Sequence, residues 1–149
     1  MASIIQWALK KVLPSNITIG FEDVLHALKT PDEYVLVNTL PATNQSVLIQ
    51  GTLAASDEEA FINEYLNKYV EKTKTIVLYG LNSCDPTVHE KRTQLLSLGI
   101  SDIMIYAGGL FEWLLLQDIY GQNEFPTKGT ATDLLGYRPR RRIHFHVPA

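Results

Sequence analysis

The chain has 149 residues, of which 46% are hydrophobic and 19% are charged, so its length allows one domain with one hydrophobic core. No apolar run approaches the roughly 18 residues of a membrane-spanning helix. A single cysteine, Cys84, excludes an internal disulfide, and we expect a cytoplasmic protein without a secretory signal.

The N-terminal segment carries apolar residues at helical spacing, which predicts a short amphipathic helix that Pro14 ends. We assign residues 1–19 to this helix and a linker. Trp7 lies off the apolar stripe, so it is a candidate anchor for a protein partner. The alternative interpretation is that Trp7 packs in the core.

Strand and helix patterns then alternate along the chain, which is typical of a parallel sheet with helices on both faces. Ser56 and Glu59 have the spacing of a capping box and predict a helix through Val70. The fold class is therefore α/β, with three layers and a mostly parallel central sheet of about five strands. The predicted helices are 20–28, 56–70, one from about 86 to 98 and one from 109 to 119, and the predicted strands are 34–38, 75–79 and 102–106.

The charge is distributed unevenly. Residues 1–127 carry 8 Lys and Arg against 15 Asp and Glu, whereas residues 128–149 carry 5 against 1. We therefore assign 128–149 to a basic C-terminal tail, with one possible late strand at 143–147.

The tail contains the arginine cluster Arg138, Arg140, Arg141 and Arg142, whose guanidinium groups bind carboxylates and phosphates through paired hydrogen bonds. We expect the cluster to bind an acidic protein surface, either its own or a neighbour's. Nucleic acid is the weaker alternative, because few aromatic residues accompany the cluster and the rest of the chain is acidic. The third alternative is a tail that is exposed to solvent and binds no partner.

Two pairs of residues have a spacing that could support catalysis or metal binding. Cys84 and His89 lie five residues apart across a loop and the start of a helix, where a nucleophile and its base could meet. The alternative interpretation is that His89 is a solvent-exposed helix residue and that the Cys84 thiol takes part in no reaction. His144 and His146 have the spacing of a metal pair on a strand, but no third ligand lies near them in sequence, so we predict no metal site and no cofactor.

The segment Ile103-Met-Ile-Tyr-Ala-Gly108-Gly109-Leu-Phe-Glu-Trp113 resembles a strand, glycine pair and tryptophan-bearing helix of the rhodanese-like family. Residues 35–38 are similar to the strand of that family that usually ends in aspartate, and residues 48–52 are similar to the segment that follows this strand. Residues 75–79 resemble the strand that leads into its active-site loop. The resemblance implies a rhodanese-like domain over residues 20–127.

The polar residues of active family members are missing. The resemblance places their cysteine nucleophile at Gly80, their aspartate and arginine at Asn38 and Leu40, and their histidine at Leu48. We therefore expect an inactive module for protein–protein interaction or assembly, such as a structural component of a larger complex or virion, that acts through its N-terminal helix and basic tail. The alternative is a sulfurtransferase or phosphatase-like enzyme that uses Cys84. A third possibility is an anion sensor built on the active-site-like loop, which consists of Gly80, Leu81, Asn82, Ser83, Cys84 and Asp85.

Overall fold

The structure is a computed structural model that describes residues 17–67 and 74–143. Trp7 with its predicted helix, the pair His144 and His146, and nearly all of the predicted late strand lie outside these residues. Within the described ranges, no helix is both long and apolar enough to span a membrane.

Four parallel strands form the central sheet in the order β1-β5-β4-β2. The sequence predicted about five strands. The β-branched and aromatic residues of β4 pair with β2 on one side and β5 on the other, with Val77 opposite both Leu36 and Met104. A separate antiparallel pair joins β3 and β6. The strands are β1 (Thr18–Ile19), β2 (Tyr34–Asn38), β3 (Leu48–Ile49), β4 (Thr75–Tyr79), β5 (Ile103–Tyr106) and β6 (Thr127–Lys128).

Helices cover both faces of the central sheet, which confirms the predicted three-layer α/β class. They are α1 (Phe21–Lys29), α2 (Glu58–Tyr65), α3 (Thr87–Ser97) and α4 (Gly109–Tyr120). Successive side chains of β4 point to opposite faces. Val77 and Tyr79 pack with α1 and α4, while Ile76 and Leu78 pack with α2 and α3. The core is therefore two apolar layers separated by the sheet.

The predicted capping box at Ser56 is wrong. Ser56 lies inside a 3-10 turn over Ala55–Asp57, which the hydrogen bond from the Asp57 N–H to the Ala54 carbonyl closes. Its backbone therefore lacks the extended conformation of an N-cap residue. Helix α2 begins at Glu58 without a side-chain cap and ends at Tyr65, before the predicted end.

The segment after α4 returns to the domain instead of leaving it at once. β6 pairs with β3, with Thr127 opposite Ile49. A 3-10 turn over Leu134–Tyr137 follows, and Leu134 and Tyr137 pack against the cluster on the α1 and α4 face. This path brings residues 138–142 next to the loop that follows β4.

Candidate functional site

The candidate site lies at the carboxyl ends of the parallel strands, where loops after neighbouring strands meet. The loop of residues 80–85, here called the β4 loop, connects β4 to α3. The Thr39 N–H donates to the Tyr79 carbonyl at 3.0 Å, and the Thr39 and Thr87 hydroxyls are 2.9 Å apart. These contacts hold the end of β2 beside the β4 loop.

The start of α4 holds the β4 loop from the opposite side. The Leu110 and Phe111 N–H groups donate to the Gly80 and Leu81 carbonyls, both at 2.9 Å. Gly109 has φ +67°, and a Cβ there would lie 2.8 Å from the Gly80 carbonyl oxygen. The second glycine of the pair is therefore required both by its backbone conformation and by the close approach of the loop.

The side chain of Asp85 occupies the space beside Gly80. A Cβ at position 80 would lie 2.5 Å from Asp85 Oδ2 and 2.7 Å from Val88 Cγ2. Asp85 Oδ2 accepts the Leu81 N–H at 2.9 Å, and Oδ1 accepts the Thr87 N–H at 3.0 Å and the Thr87 hydroxyl at 2.6 Å. A carboxylate of the chain itself thus fills the volume that a nucleophile at position 80 would need.

Other backbone N–H groups of the β4 loop are also satisfied within the loop. The Cys84 N–H donates to Asn82 Oδ1 at 3.0 Å, and the Asp85 N–H donates to the Asn82 carbonyl at 3.3 Å. Anion-binding loops stabilise a thiolate by directing several N–H groups at one point. Here the N–H groups of Leu81, Cys84, Asp85 and Thr87 all donate to acceptors of the loop itself.

Cys84 is exposed on the outer side of the loop, where its Sγ lies 3.9 Å from the Ser83 hydroxyl. His89 is exposed on α3, and no hydrogen bond joins it to Cys84 in the part of the chain that the structure describes. The structure therefore does not bring the two residues together as a nucleophile and base.

The arginine cluster and the β4 loop line one cavity of about 480 Å³. Asn82 Nδ2 donates to the Tyr137 carbonyl at 3.1 Å and fixes the end of the 3-10 turn against the loop. Arg138 donates to the Leu135 carbonyl. Pro41 and Asn44 also line the cavity. The four arginines of the cluster, the loop residues Leu81, Asn82, Cys84 and Asp85, and Pro86, Thr87 and Gly136 complete the lining.

The remaining sites where polar family residues were expected serve the fold. Asn38 is buried, and its Oδ1 accepts the Leu40 N–H and Gln45 Nε2. Leu40 and Leu48 are buried in the apolar cluster on the α1 and α4 face. No group of three or more potential metal ligands occurs among residues 17–67 and 74–143.

Two buried tyrosines end the strands beneath the site. Burial raises the pKa of Tyr79 well above its ordinary value, although its hydroxyl is bonded to Thr52 and to the Ile49 N–H. Burial also raises the pKa of Tyr106. The Glu112 carboxylate, which accepts a hydrogen bond from the Tyr106 hydroxyl at 2.7 Å, raises this pKa further. Both hydroxyls are therefore neutral structural groups at physiological pH.

Solved structures share this arrangement of strands and helices. The solution structure of the rhodanese-like domain of Alr3790 from Anabaena sp. has a TM-score of 0.53 at 18% identity, over 89% of this chain and 92% of that chain. The fold is rhodanese-like. A full-length protein from Lactobacillus plantarum matches with a TM-score of 0.58 at 22% identity, over 87% of this chain and all of its own. BH2092 from Bacillus halodurans also has a TM-score of 0.58, at 18% identity, over 87% of this chain and 86% of its own.

No family model matches the sequence, and no curated protein was found to match it. The similarity to solved structures therefore concerns the rhodanese-like fold.

The position of the β4 loop was predictable from the sequence, but the Asp85 side chain that fills it and the arginine cluster that lies beside it were not. The signal for the role of Asp85 is Asp85-Pro-Thr87 before a helix, since aspartate commonly accepts the N–H two residues ahead. No local signal indicates that the arginine cluster lies over the β4 loop.

Proposed function

We propose that this chain is a catalytically inactive rhodanese-like module that acts in protein–protein interaction or assembly. The observation that carries the proposal is the Asp85 carboxylate beside Gly80. It fills the volume of the missing nucleophile and accepts the Leu81 N–H. A negative charge at this point opposes both a thiolate and an anionic sulfur donor.

The same observation argues against an anion sensor built on the loop backbone. A nest binds an anion when its N–H groups are unpaired and convergent. Four N–H groups of the β4 loop region, those of Leu81, Cys84, Asp85 and Thr87, already donate to internal acceptors. An entering anion would first have to displace the Asp85 carboxylate.

An enzyme that uses Cys84 is the second candidate, because this thiol is exposed and lines a cavity that contains four arginines. No base contacts Cys84 within the described ranges, however, and its own N–H is bonded to Asn82. The candidate therefore has a substrate-sized space but lacks the groups that would activate the nucleophile.

Thiosulfate separates these two functions. In sulfur transfer the thiolate attacks the outer sulfur of thiosulfate, the S–S bond breaks, sulfite leaves with the electron pair, and a persulfide remains. We expect intact mass spectrometry to show no added sulfur in wild type or in Cys84→Ser, with an active sulfurtransferase as the positive control. A sulfur adduct that appears in wild type and disappears in Cys84→Ser would replace the proposal with the enzyme.

The interaction half of the proposal has its own support and its own test. Exposed apolar side chains of α4 and the C-terminal segment, Ile119, Leu135 and Ile143, have exposed fractions of 69%, 61% and 83%. Such side chains contribute to interfaces when a partner covers them. We expect the tagged protein to sediment in its native extract as a species much larger than 16.8 kDa. Sedimentation as a monomer would contradict a role in assembly.

A further inference from the structure

We infer that the cavity between the β4 loop and the arginine cluster is a docking site for an acidic peptide segment of a partner protein. The inference rests on the proposed non-catalytic function and names the class of partner. It concerns the cavity that Cys84 and the arginine cluster line, here called the outer side of the loop. The space beside Gly80 that Asp85 fills is the inner side, and Asp85 borders both.

The charge of the cavity lining selects an anion. Its four arginines face a single acidic residue, Asp85. Both oxygens of that carboxylate already accept hydrogen bonds from Leu81 and Thr87. Arg140 and Arg142 are exposed and form no ion pair with a carboxylate of residues 17–67 or 74–143. Their guanidinium groups are thus available for paired hydrogen bonds to carboxylates of another chain.

The space fits a short segment of polypeptide. The cavity of about 480 Å³ lies within the range of roughly 300–1,000 Å³ that is usual for ligand pockets. Pro41 and Asn44, the β4 loop and the arginine cluster all line it. The hydrogen bond from Asn82 Nδ2 to the Tyr137 carbonyl holds the residue that precedes the arginine cluster against the β4 loop, so the two parts of the lining are joined.

The lining favours an acidic peptide over a nucleic acid. None of the cavity residues is aromatic, so bases would find no side chain on which to stack. Residues 1–127 carry 15 acidic against 8 basic residues. A nucleic acid strand that continues beyond the cavity meets this acidic body, whereas a short peptide can place a few carboxylates inside the cavity alone.

The test uses a fluorescein-labelled peptide of glutamate and glycine as the probe and the full chain as the receptor. We expect saturable binding by fluorescence anisotropy, with an affinity that falls as salt is added. The double variant R140Q/R142Q should bind at least about tenfold more weakly, because it loses two charge-assisted contacts. The matched control K29Q/K128Q removes the same charge at two exposed lysines outside the cavity and should bind like wild type.

Cys84 reports whether the peptide occupies this cavity. It is the chain's single cysteine and lines the site, so N-ethylmaleimide labels one known position. We expect the peptide to slow alkylation of Cys84 in proportion to the fraction bound, while a lysine and glycine peptide does not. Circular dichroism and urea midpoints confirm that each variant is folded.

Each other result overturns the inference. Binding that is insensitive to R140Q/R142Q, or that leaves Cys84 unprotected, places the peptide elsewhere. Protection by an oligothymidylate but not by the peptide assigns the cavity to nucleic acid, and binding of neither probe removes the site. The thiosulfate experiment stays independent of these outcomes. If neither a sulfur adduct nor peptide binding is found, the inference of an acidic peptide partner is overturned, while the proposal of a catalytically inactive module is kept.

Discussion

Replacing Asp85 by alanine tests the central structural argument, because the carboxylate accepts three hydrogen bonds. Their donors are the Leu81 N–H at 2.9 Å, the Thr87 N–H at 3.0 Å and the Thr87 hydroxyl at 2.6 Å. A hydrogen bond to a charged acceptor contributes roughly 1.5–3 kcal/mol, and bonds that share one acceptor do not add. Asp85 is half-buried, so water replaces part of the loss. We expect the free energy of unfolding to fall by about 2–4 kcal/mol.

Urea unfolding measures this loss through the transition midpoint, provided that the slope with denaturant is unchanged. Asp118→Ala is the control, since Asp118 is exposed on α4 away from the β4 loop. Surface changes of this kind usually alter stability by less than about 0.5 kcal/mol. If Asp85→Ala loses no more stability than Asp118→Ala, the carboxylate does not hold the loop and the argument for a filled active-site position fails.

A double-mutant cycle with Gly80 examines the same contact from the other side. Gly80 has no positive φ, so alanine fits its backbone and any penalty is steric. The added Cβ would lie 2.5 Å from Asp85 Oδ2, and overpacking of this kind costs about 1–3 kcal/mol. In the Asp85→Ala background we expect the penalty to shrink by more than about 0.5 kcal/mol. Strictly additive losses would show that Asp85 does not occupy the space beside Gly80.

Two further outcomes follow from the strand ends. Gly109→Ala should lower the free energy of unfolding by about 2–4 kcal/mol, because φ is +67° and the added Cβ would lie 2.8 Å from the Gly80 carbonyl oxygen. Gly136→Ala should leave this free energy nearly unchanged, because no atom lies within 4 Å of the added Cβ. Equal urea midpoints for these two variants would contradict the close approach. Burial holds the pKa of Tyr79 above its ordinary value of 10.0, so the unfolded chain loses this proton first and stability falls as pH rises above about 10. Tyr79→Phe should lower the free energy of unfolding at neutral pH. Above about pH 10, it should reduce the slope with which this free energy falls by up to about 1.4 kcal/mol per pH unit. Parallel curves of stability against pH for wild type and Tyr79→Phe would refute this.

The fold could be predicted where a local pattern determines the structure. The apolar run of β4 is long enough to be buried on both faces, and its side chains alternate between the two core layers. Gly109 was predictable from the glycine pair because only glycine tolerates that conformation and contact. Positions at element boundaries were less predictable. Leu96 and Leu98 are apolar residues at the end of this helix pattern, yet they are 39% and 47% exposed, because the buried side of α3 is set by Val88 and Leu95.

The candidate site was predictable only in its position, since its contents depend on the path of the chain. Whether Asp85 points outward or into the loop is decided by the turn between β4 and α3, which the local sequence does not determine uniquely. The placement of the arginine cluster depends on the pairing of β6 with β3 and on the bond between Asn82 and the Tyr137 carbonyl. These contacts join residues far apart in the sequence, and a reading of local patterns does not detect them.

The two sides of the β4 loop differ in charge, with a carboxylate beside Gly80 on the inner side and four arginines around the cavity on the outer side. On the inner side, the Asp85 carboxylate accepts hydrogen bonds from the Leu81 and Thr87 N–H groups and fills the space beside Gly80. On the outer side, the arginine cluster presents cationic groups that reach beyond the loop backbone. A thiolate enzyme needs its nucleophile at the inner focus, whereas a docking site needs positive charge that a larger partner can reach. Under the proposed function the cavity meets the second requirement, and substitutions at Asp85 and at the arginines test the two sides separately.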